Sequence, residues 1–345
     1  MHIDAFDYTL PKALIAEHSM SPREAAKLLV LHRATKELEH KHVRDVADYI
    51  QPGDLIILNN TKVFKARLTI KHADRAFEIF FLRPDAQAPS IWQVLLRPAK
   101  LVHINDALML PDGSTVSLIT KNTDGVSLIE THCAPEEIFA MLQEYGEVPT
   151  PPYVTSTEKN RADYQTVYAE KVGSVAAPTA GFHLTRPLMN ACQDHGAVFA
   201  DVTLHVGLGT FRPMRTEYLH DHVMHEEWIH LPKETIRRIK ETKARGGRVI
   251  AIGTTAARAL ESLTIDRVLE DVPDEDMEGF TKLFITPGFP FKILDGLLTN
   301  FHLPKSTLLV LVSAFAGQDM VLDAYAKAIE NEYRFYSFGD AMLII

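Results

Sequence analysis

Residues 66–97 read ARLTIKHADRAFEIFFLRPDAQAPSIWQVLLR. Three short apolar stretches, ARLTIKH, AFEIFFL and IWQVLLR, lie close together, and RPDAQAPS separates the last two with turn chemistry. The same texture runs on through DALML, TVSLIT and GVSLIETHC to residue 133, broken by PDGS and NTDG. About six short strands with no helix between them predict a small antiparallel barrel or sandwich.

Both flanks read differently. On the N-terminal side, SPREAA (21–26) and VRDVADYI (43–50) are helix-compatible, while KLLVLHR (27–33) and GDLIILNN (53–60) read as apolar run and buried strand. On the C-terminal side, PEEIFAMLQEYG (135–146), KETIRRIKETKARGG (233–247), KSTLLVLVSAFAG (305–317) and DMVLDAYAKAIENEY (319–333) are helical patterns. RVIAIG (248–253) is a buried strand, and TTAARALESL (254–263) a helix opening on Thr254 as N-cap. LEDVPDEDMEG (269–279) reads as an acidic surface loop, and AMLII as a buried terminal strand. The expected fold is an α/β main domain built from both chain ends, 1–63 and 150–345, with an inserted small antiparallel β-barrel domain, 64–149. The Pro-rich YGEVPTPPYV (145–154) would be the return linker.

Bulk numbers narrow the class. The 345 residues, 46% apolar and 23% charged, are ordinary for a globular cytosolic protein. Apolar runs such as LLVLVSAFAG are shorter than the roughly 20 residues a bilayer requires. The start, MHIDAFDYTLPK, has no apolar h-region and gives no signal-peptide reading. Two well-separated cysteines, Cys133 and Cys192, suggest a reduced cytoplasmic setting. The formal net charge of −9 disfavours a nucleic-acid partner only as a monopole, since an acidic chain can still carry one basic face.

Several motifs carry chemistry. GSVAAPTAGFHLT (173–185) is nearly bare backbone ending at His183, and the helical TRPLMNACQDH follows it, so Thr179 and Gly181 sit near a helix start that suits a polar ligand. A tight connection using Gly for turn geometry explains the same residues. LHVGLGTFRPM (204–214) follows a strand and crowds His205, Gly207, Gly209, Thr210 and Arg212 at its carboxyl end, where α/β sheets bind ligands. HDHVMHEEW (220–228) sets His222, His225 and Glu226 at a spacing unlike HExxH, so a surface or substrate-contacting strand is favoured over a metal site. GTTAARALES (253–262) places Thr254, Thr255 and Arg258 at a helix start. Asn300 and His302 precede another helix, and Arg334 and Asp340 lie in an aromatic-rich C-terminus.

Together AAPTAGFHLT, HVGLGTFRPM, VMHEEWIHL, IGTTAARALES, FITPGFPFKILDGLLTNFHLPKSTLLVLVSAFAG and YRFYSFGDAMLI closely resemble the S-adenosylmethionine:tRNA ribosyltransferase-isomerase family of queuosine biosynthesis. The likeness extends in order over nearly the whole chain, from FDYTLPKALIAEH and PGDLIILNNTKVFKARL to DYQTVYAEKVGSVAAPTAG. It implies an α/β domain interrupted by a β-barrel, matching the change of texture. It also implies that S-adenosylmethionine donates its ribosyl moiety to 7-aminomethyl-7-deazaguanine at the tRNA wobble position. Epoxyqueuosine-tRNA results, with release of adenine and methionine, and no metal or other cofactor is expected.

That chemistry requires a base to remove a proton beside the sulfonium and a donor to help adenine leave. His183 and His205 are the candidates, because an unperturbed imidazole titrates near ~6.5; which is base and which acid stays open. Thr179 and Thr210 suit ribose hydroxyls. Arg212, Arg258 and Arg334 suit the methionine carboxylate or anticodon phosphates. Asp340 or Glu226 suits the aminomethyl group or the sulfonium. Asn60 and Lys62 stand where the family has an acid and an arginine, GFHLT exchanges the neighbours of its histidine, and KHADRAFEIFF lacks a Gly pair before Glu78. These departures prompt one rival, a non-catalytic tRNA-binding relative. A methyltransferase is disfavoured by the absence of GxGxxG after an early strand. A monomer without membrane attachment is expected.

Overall fold

The computed structural model describes residues 1–72, 75–122, 125–151, 153–154, 157–207, 214 and 216–345. In chain order its first strands are β1 (Lys27–Leu31), β2 (Leu38–His42), β3 (Leu55–Asn59) and β4 (Thr61–Val63). Then come β5 (Arg67–His72), β6 (Arg75–Pro84), β7 (Ile91–Arg97), β8 (Ala107–Met109), β9 (Thr115–Lys121) and β10 (Ser127–Thr131), with no α-helix between them. Helices α1 (Pro135–Tyr145) and α2 (Glu158–Asp163), β11 (Lys171–Ser174), α3 (Arg186–Asp194), β12 (Val198–Leu204) and β13 (Glu227–Leu231) follow. The chain closes with α4 (Lys233–Ala244), β14 (Val249–Ile252), α5 (Thr254–Ser262), β15 (Met277–Thr281), β16 (Gly296–Asn300), α6 (Thr307–Ala316), α7 (Gln318–Glu330) and β17 (Ala341–Ile344).

Two compact units result. The larger comprises 1–61, 151–171 and 177–345; the smaller comprises 62–150 and 172–176. The larger holds a nine-stranded sheet in the order β15-β13-β12-β3-β14-β16-β17-β1-β2. At its centre β12, β3, β14 and β16 run parallel. Every residue of β3, β14 and β16 is buried, as expected of parallel strands covered on both faces. On one face Ile56, Leu58, Ile250, Ile252 and Leu298 pack with Leu188, Met189 and Cys192 of α3. Antiparallel strands extend both edges, β13 and β15 on one side and β2 on the other.

The smaller unit carries the six-stranded antiparallel sheet β5-β6-β7-β10-β9-β8, whose edge strands β5 and β8 come into contact and nearly close it. Its interior includes Trp92, Phe77, Phe81 and Leu118, all fully buried. The fold is thus mixed α/β, with a large sheet and a barrel-like antiparallel sheet. The run VRDVADYI forms a 3-10 turn, Val43–Tyr49, rather than an α-helix. The acidic stretch ends in strand β15. Among the described residues no single helix is long and apolar enough to cross a membrane.

Candidate active site

The parallel strands β12, β3, β14 and β16 end at Leu204, Asn59, Ile252 and Asn300, so the segments after them meet at one end of the sheet. Asn59 knots three of them together. Its Nδ2 donates to the Leu204 carbonyl at 3.0 Å and to Thr255 Oγ1 at 3.1 Å, and its Oδ1 accepts from Leu204 N–H at 3.0 Å. After β14 the chain turns sharply at Gly253, whose φ of +89° suits a residue without Cβ. Gly253, not Thr254, is therefore the N-cap of α5, and Thr254 becomes its first residue.

A cleft opens here. Its walls come from 177–180, Val206, 253–255, 299–303, Ser306 and Leu308, Tyr336 and Ser337, with Tyr153 added from the Pro-rich linker. Helices α5 and α6 both begin at it, and Ser306 caps α6 by accepting the Leu309 N–H at 3.2 Å. First-turn N–H groups and the Thr254 and Thr255 hydroxyls make this wall suited to oxygen-rich ligands. Tyr336 stands in the wall at φ +74°, a costly conformation for a non-glycine residue that concentrates at ligand sites. Tyr153 lies 5.0 Å from it between ring centroids and shares a 2.6 Å hydrogen bond with Ser337.

Three histidines surround the cleft, none poised to titrate near neutrality. His183 is buried, and its Nε2 accepts from Asn300 Nδ2 at 3.0 Å, while Asn300 Oδ1 accepts from Thr179 Oγ1 at 3.0 Å. Burial, assisted by the charges of Arg334 and Arg23, pushes His183 down to about 3. His302 lines the cleft, with Nε2 3.3 Å from Thr299 Oγ1 and Nδ1 3.4 Å from the Tyr325 hydroxyl, and burial pushes it to about 3. His205 has Nδ1 2.8 Å from Thr61 Oγ1 and stacks on Trp228; burial holds it at about 4. In the free protein all three are neutral. The expectation of imidazoles near their ordinary value is corrected, because desolvation disfavours the charged ring.

The charged candidates take other places. Arg258 forms a buried ion pair with Glu227 and donates Nε to the Leu283 carbonyl at 3.1 Å, so this guanidinium is engaged inside the protein. Glu226, one residue earlier, is 39% exposed and pairs with Lys282 at 2.8 Å. Asp340 is buried as a backbone clasp, accepting the N–H groups of Lys27 at 2.9 Å and Arg334 at 2.7 Å. Arg334 reaches Asp340 at 3.4 Å and the His18 carbonyl at 3.3 Å. His222 lines a separate pocket beside Phe284, and His225 is exposed. Gly181 packs beneath Tyr168, and Gly207 donates its N–H to Glu227 Oε1 at 3.0 Å. Gly209, Thr210 and Arg212 lie outside the described residues. Among the described residues no group of three or more His, Cys, Asp or Glu is arranged to hold a metal ion.

The family model described as queuosine biosynthesis protein matches residues 3–344. The chain belongs to this family. Curated relatives of this queuosine biosynthesis chain include the S-adenosylmethionine:tRNA ribosyltransferase-isomerase of Halothermothrix orenii, 45% identical over 345 residues, with 100% of both chains covered. That of Thermotoga maritima is 44% identical over 346 residues, again with 100% of both covered. The crystal structure of the S-adenosylmethionine tRNA ribosyltransferase from Thermotoga maritima superimposes with a TM-score of 0.57 at 36% identity, covering 99% of this chain and 100% of that one.

Of the candidates for this queuosine biosynthesis chain, the cleft gathers Thr179, Thr254, Thr255, Asn300 and His302. It also adds Tyr153, Thr299, Ser306, Tyr336 and Ser337, which sequence reasoning missed. Tyr336 and Ser337 sit inside YRFYSFGD, where attention went to charge; the signal available was polar and aromatic residues packed into one turn. Asn60, within NNTKVFKARL, is not among the described residues lining the cleft and accepts from Thr203 Oγ1 at 2.7 Å, a bond that needs only a carbonyl oxygen.

Proposed function

We propose that the chain catalyses the S-adenosylmethionine:tRNA ribosyltransferase-isomerase reaction in queuosine biosynthesis. The ribosyl moiety passes to 7-aminomethyl-7-deazaguanine at the tRNA wobble position, leaving epoxyqueuosine-tRNA, adenine and methionine. The observation that carries this reading is convergence. Segments from 177 to 337 that bear the family motifs line one cleft at the carboxyl ends of parallel strands, flanked by two helix starts.

In this reading Thr254, Thr255 and Thr179 meet ribose hydroxyls, and Tyr153 and Tyr336 offer aromatic faces to the nucleoside. His302, neutral in the free protein, enters as a hydrogen-bonding group that orients the substrate in the cleft. His183 fixes Asn300 from behind. Arg258 and Asp340 hold the framework. S-adenosylmethionine is consumed as co-substrate, and the transfer needs no external oxidant or reductant, which supports an enzyme with no further cofactor. We place it as a cytoplasmic monomer, with the six-stranded sheet as an inserted barrel domain. Asn60 is not among the described residues that line the cleft.

The test uses S-adenosylmethionine labelled in the ribose or in the methyl group, with tRNA bearing the aminomethyl precursor. Ribose label should enter the tRNA and methyl label should stay with methionine. Methyl label in the tRNA would overturn the assignment.

A further inference from the structure

On β13, one strand in from the β15 edge of the large sheet, and at the end of β12, three rings lie nearly parallel in a row. His205 stacks on Trp228 with centroids 4.9 Å apart and planes 20° apart, and Trp228 continues to His230 at 6.0 Å and 12°. Thr61 fixes the His205 ring through Nδ1, and β13 keeps Trp228 and His230 on one face while Glu227 turns to the other and pairs with Arg258. Phe280, paired with Trp228 across β15, is 43% exposed on the same face. Because β13 runs antiparallel to β12, the row climbs toward the end of the sheet where the cleft opens. It ends at His205, whose neighbour Val206 is in the cleft wall. Packing alone gives no reason for a row of flat, polar-edged rings, each part-exposed, leading to the cleft.

We propose that His205, Trp228 and His230 form a stacking platform for the unpaired anticodon-loop bases next to the modified one. Single-stranded RNA fits this chemistry, since every base has a π-face and aromatic stacking holds it without reading its edges. The platform is a positioning device. It orients the loop so that the wobble base reaches the cleft, and this inference rests on the proposed reaction.

Fluorescence tests it in the intact chain. The protein has two tryptophans; Trp92 is fully buried in the smaller unit and Trp228 is part-exposed, so Trp228 is the one that reports on the platform. An unmodified anticodon stem-loop, which cannot react, should quench the emission, and Trp228→Phe should abolish the quench while keeping affinity near wild type. Trp228→Ala should weaken stem-loop binding by roughly tenfold or more and raise KM for tRNA, with the salt dependence of binding unchanged. Binding without quench, quench by S-adenosylmethionine alone, or equal losses in the Ala and Phe variants would overturn the platform. Adenine release from tRNA that persists without quench overturns the platform alone. A chain that neither binds the stem-loop nor releases adenine overturns the proposed reaction as well.

Discussion

Glu227 of β13 and Arg258 of α5 form an ion pair in which the side chains are 4% and 5% exposed, and Glu227 also accepts the Gly207 N–H at 3.0 Å. One carboxylate thereby anchors the loop leaving β12 to the helix that opens at the cleft. Removing one partner of a buried pair strands the other charge, which costs about 3–5 kcal/mol. Glu227→Ala and Arg258→Ala should each lower stability by that order in denaturant unfolding. Glu226→Ala, which removes a 39%-exposed carboxylate paired with Lys282, should change it by less than about 1 kcal/mol. Equal effects at 226 and 227 would contradict the assignment.

Asn300 donates to His183 Nε2 and accepts from Thr179. Asn300→Asp keeps the acceptor but replaces the donor with a carboxylate that favours a protonated ring. The His183 pKa should rise from about 3, an effect visible in an NMR titration of ring nitrogens. An unmoved titration would contradict this hydrogen bond.

Acid should destabilise the fold through its buried imidazoles. His183 and His302 are held at about 3 and His205 at about 4, below the ~6.5 of an unfolded chain. Between those limits the unfolded state binds more protons, so stability falls as pH drops from 6.5 toward 3 and is unaffected by these groups above 6.5. At pH 5 each costs roughly 2 kcal/mol, a large share of a typical fold's margin. Unfolding midpoints measured from pH 7.5 to 4.5 check this; a flat profile would contradict burial of these rings.

Gly181 has no room for a side chain. A Cβ there would meet the Tyr168 hydroxyl and come within 2.8 Å of Thr166 Cγ2. Gly181→Ala should therefore destabilise by about 1–3 kcal/mol through overpacking, read by thermal unfolding. A neutral substitution would contradict the close packing under this turn.

Strand architecture was legible where burial imposes a pattern. TVSLIT alternates because β9 has one buried face, and LIILN and VIAI are unbroken because β3 and β14 are covered on both. The strand ends that line the cleft were legible too, since small and polar residues collect in 177–180, 253–255 and 299–303. Partnerships were not. His183 meets Asn300 from 117 positions away, and no local pattern announces that both are sealed from water. Glu226 and Glu227 are adjacent and chemically identical. Only the start of β13, fixed by its pairing with β12 and β15, turns one outward and the other into the core. Arg258 and Asp340 looked free because sequence shows charge without showing the carboxylate or backbone amides that occupy it.

The proposed chemistry is tested most directly by incubating the purified chain with S-adenosylmethionine and tRNA bearing the aminomethyl precursor, then quantifying small-molecule products. Free adenine and methionine should appear in equal amounts, in step with modified tRNA. S-adenosylhomocysteine, or no adenine at saturating substrates, would contradict it.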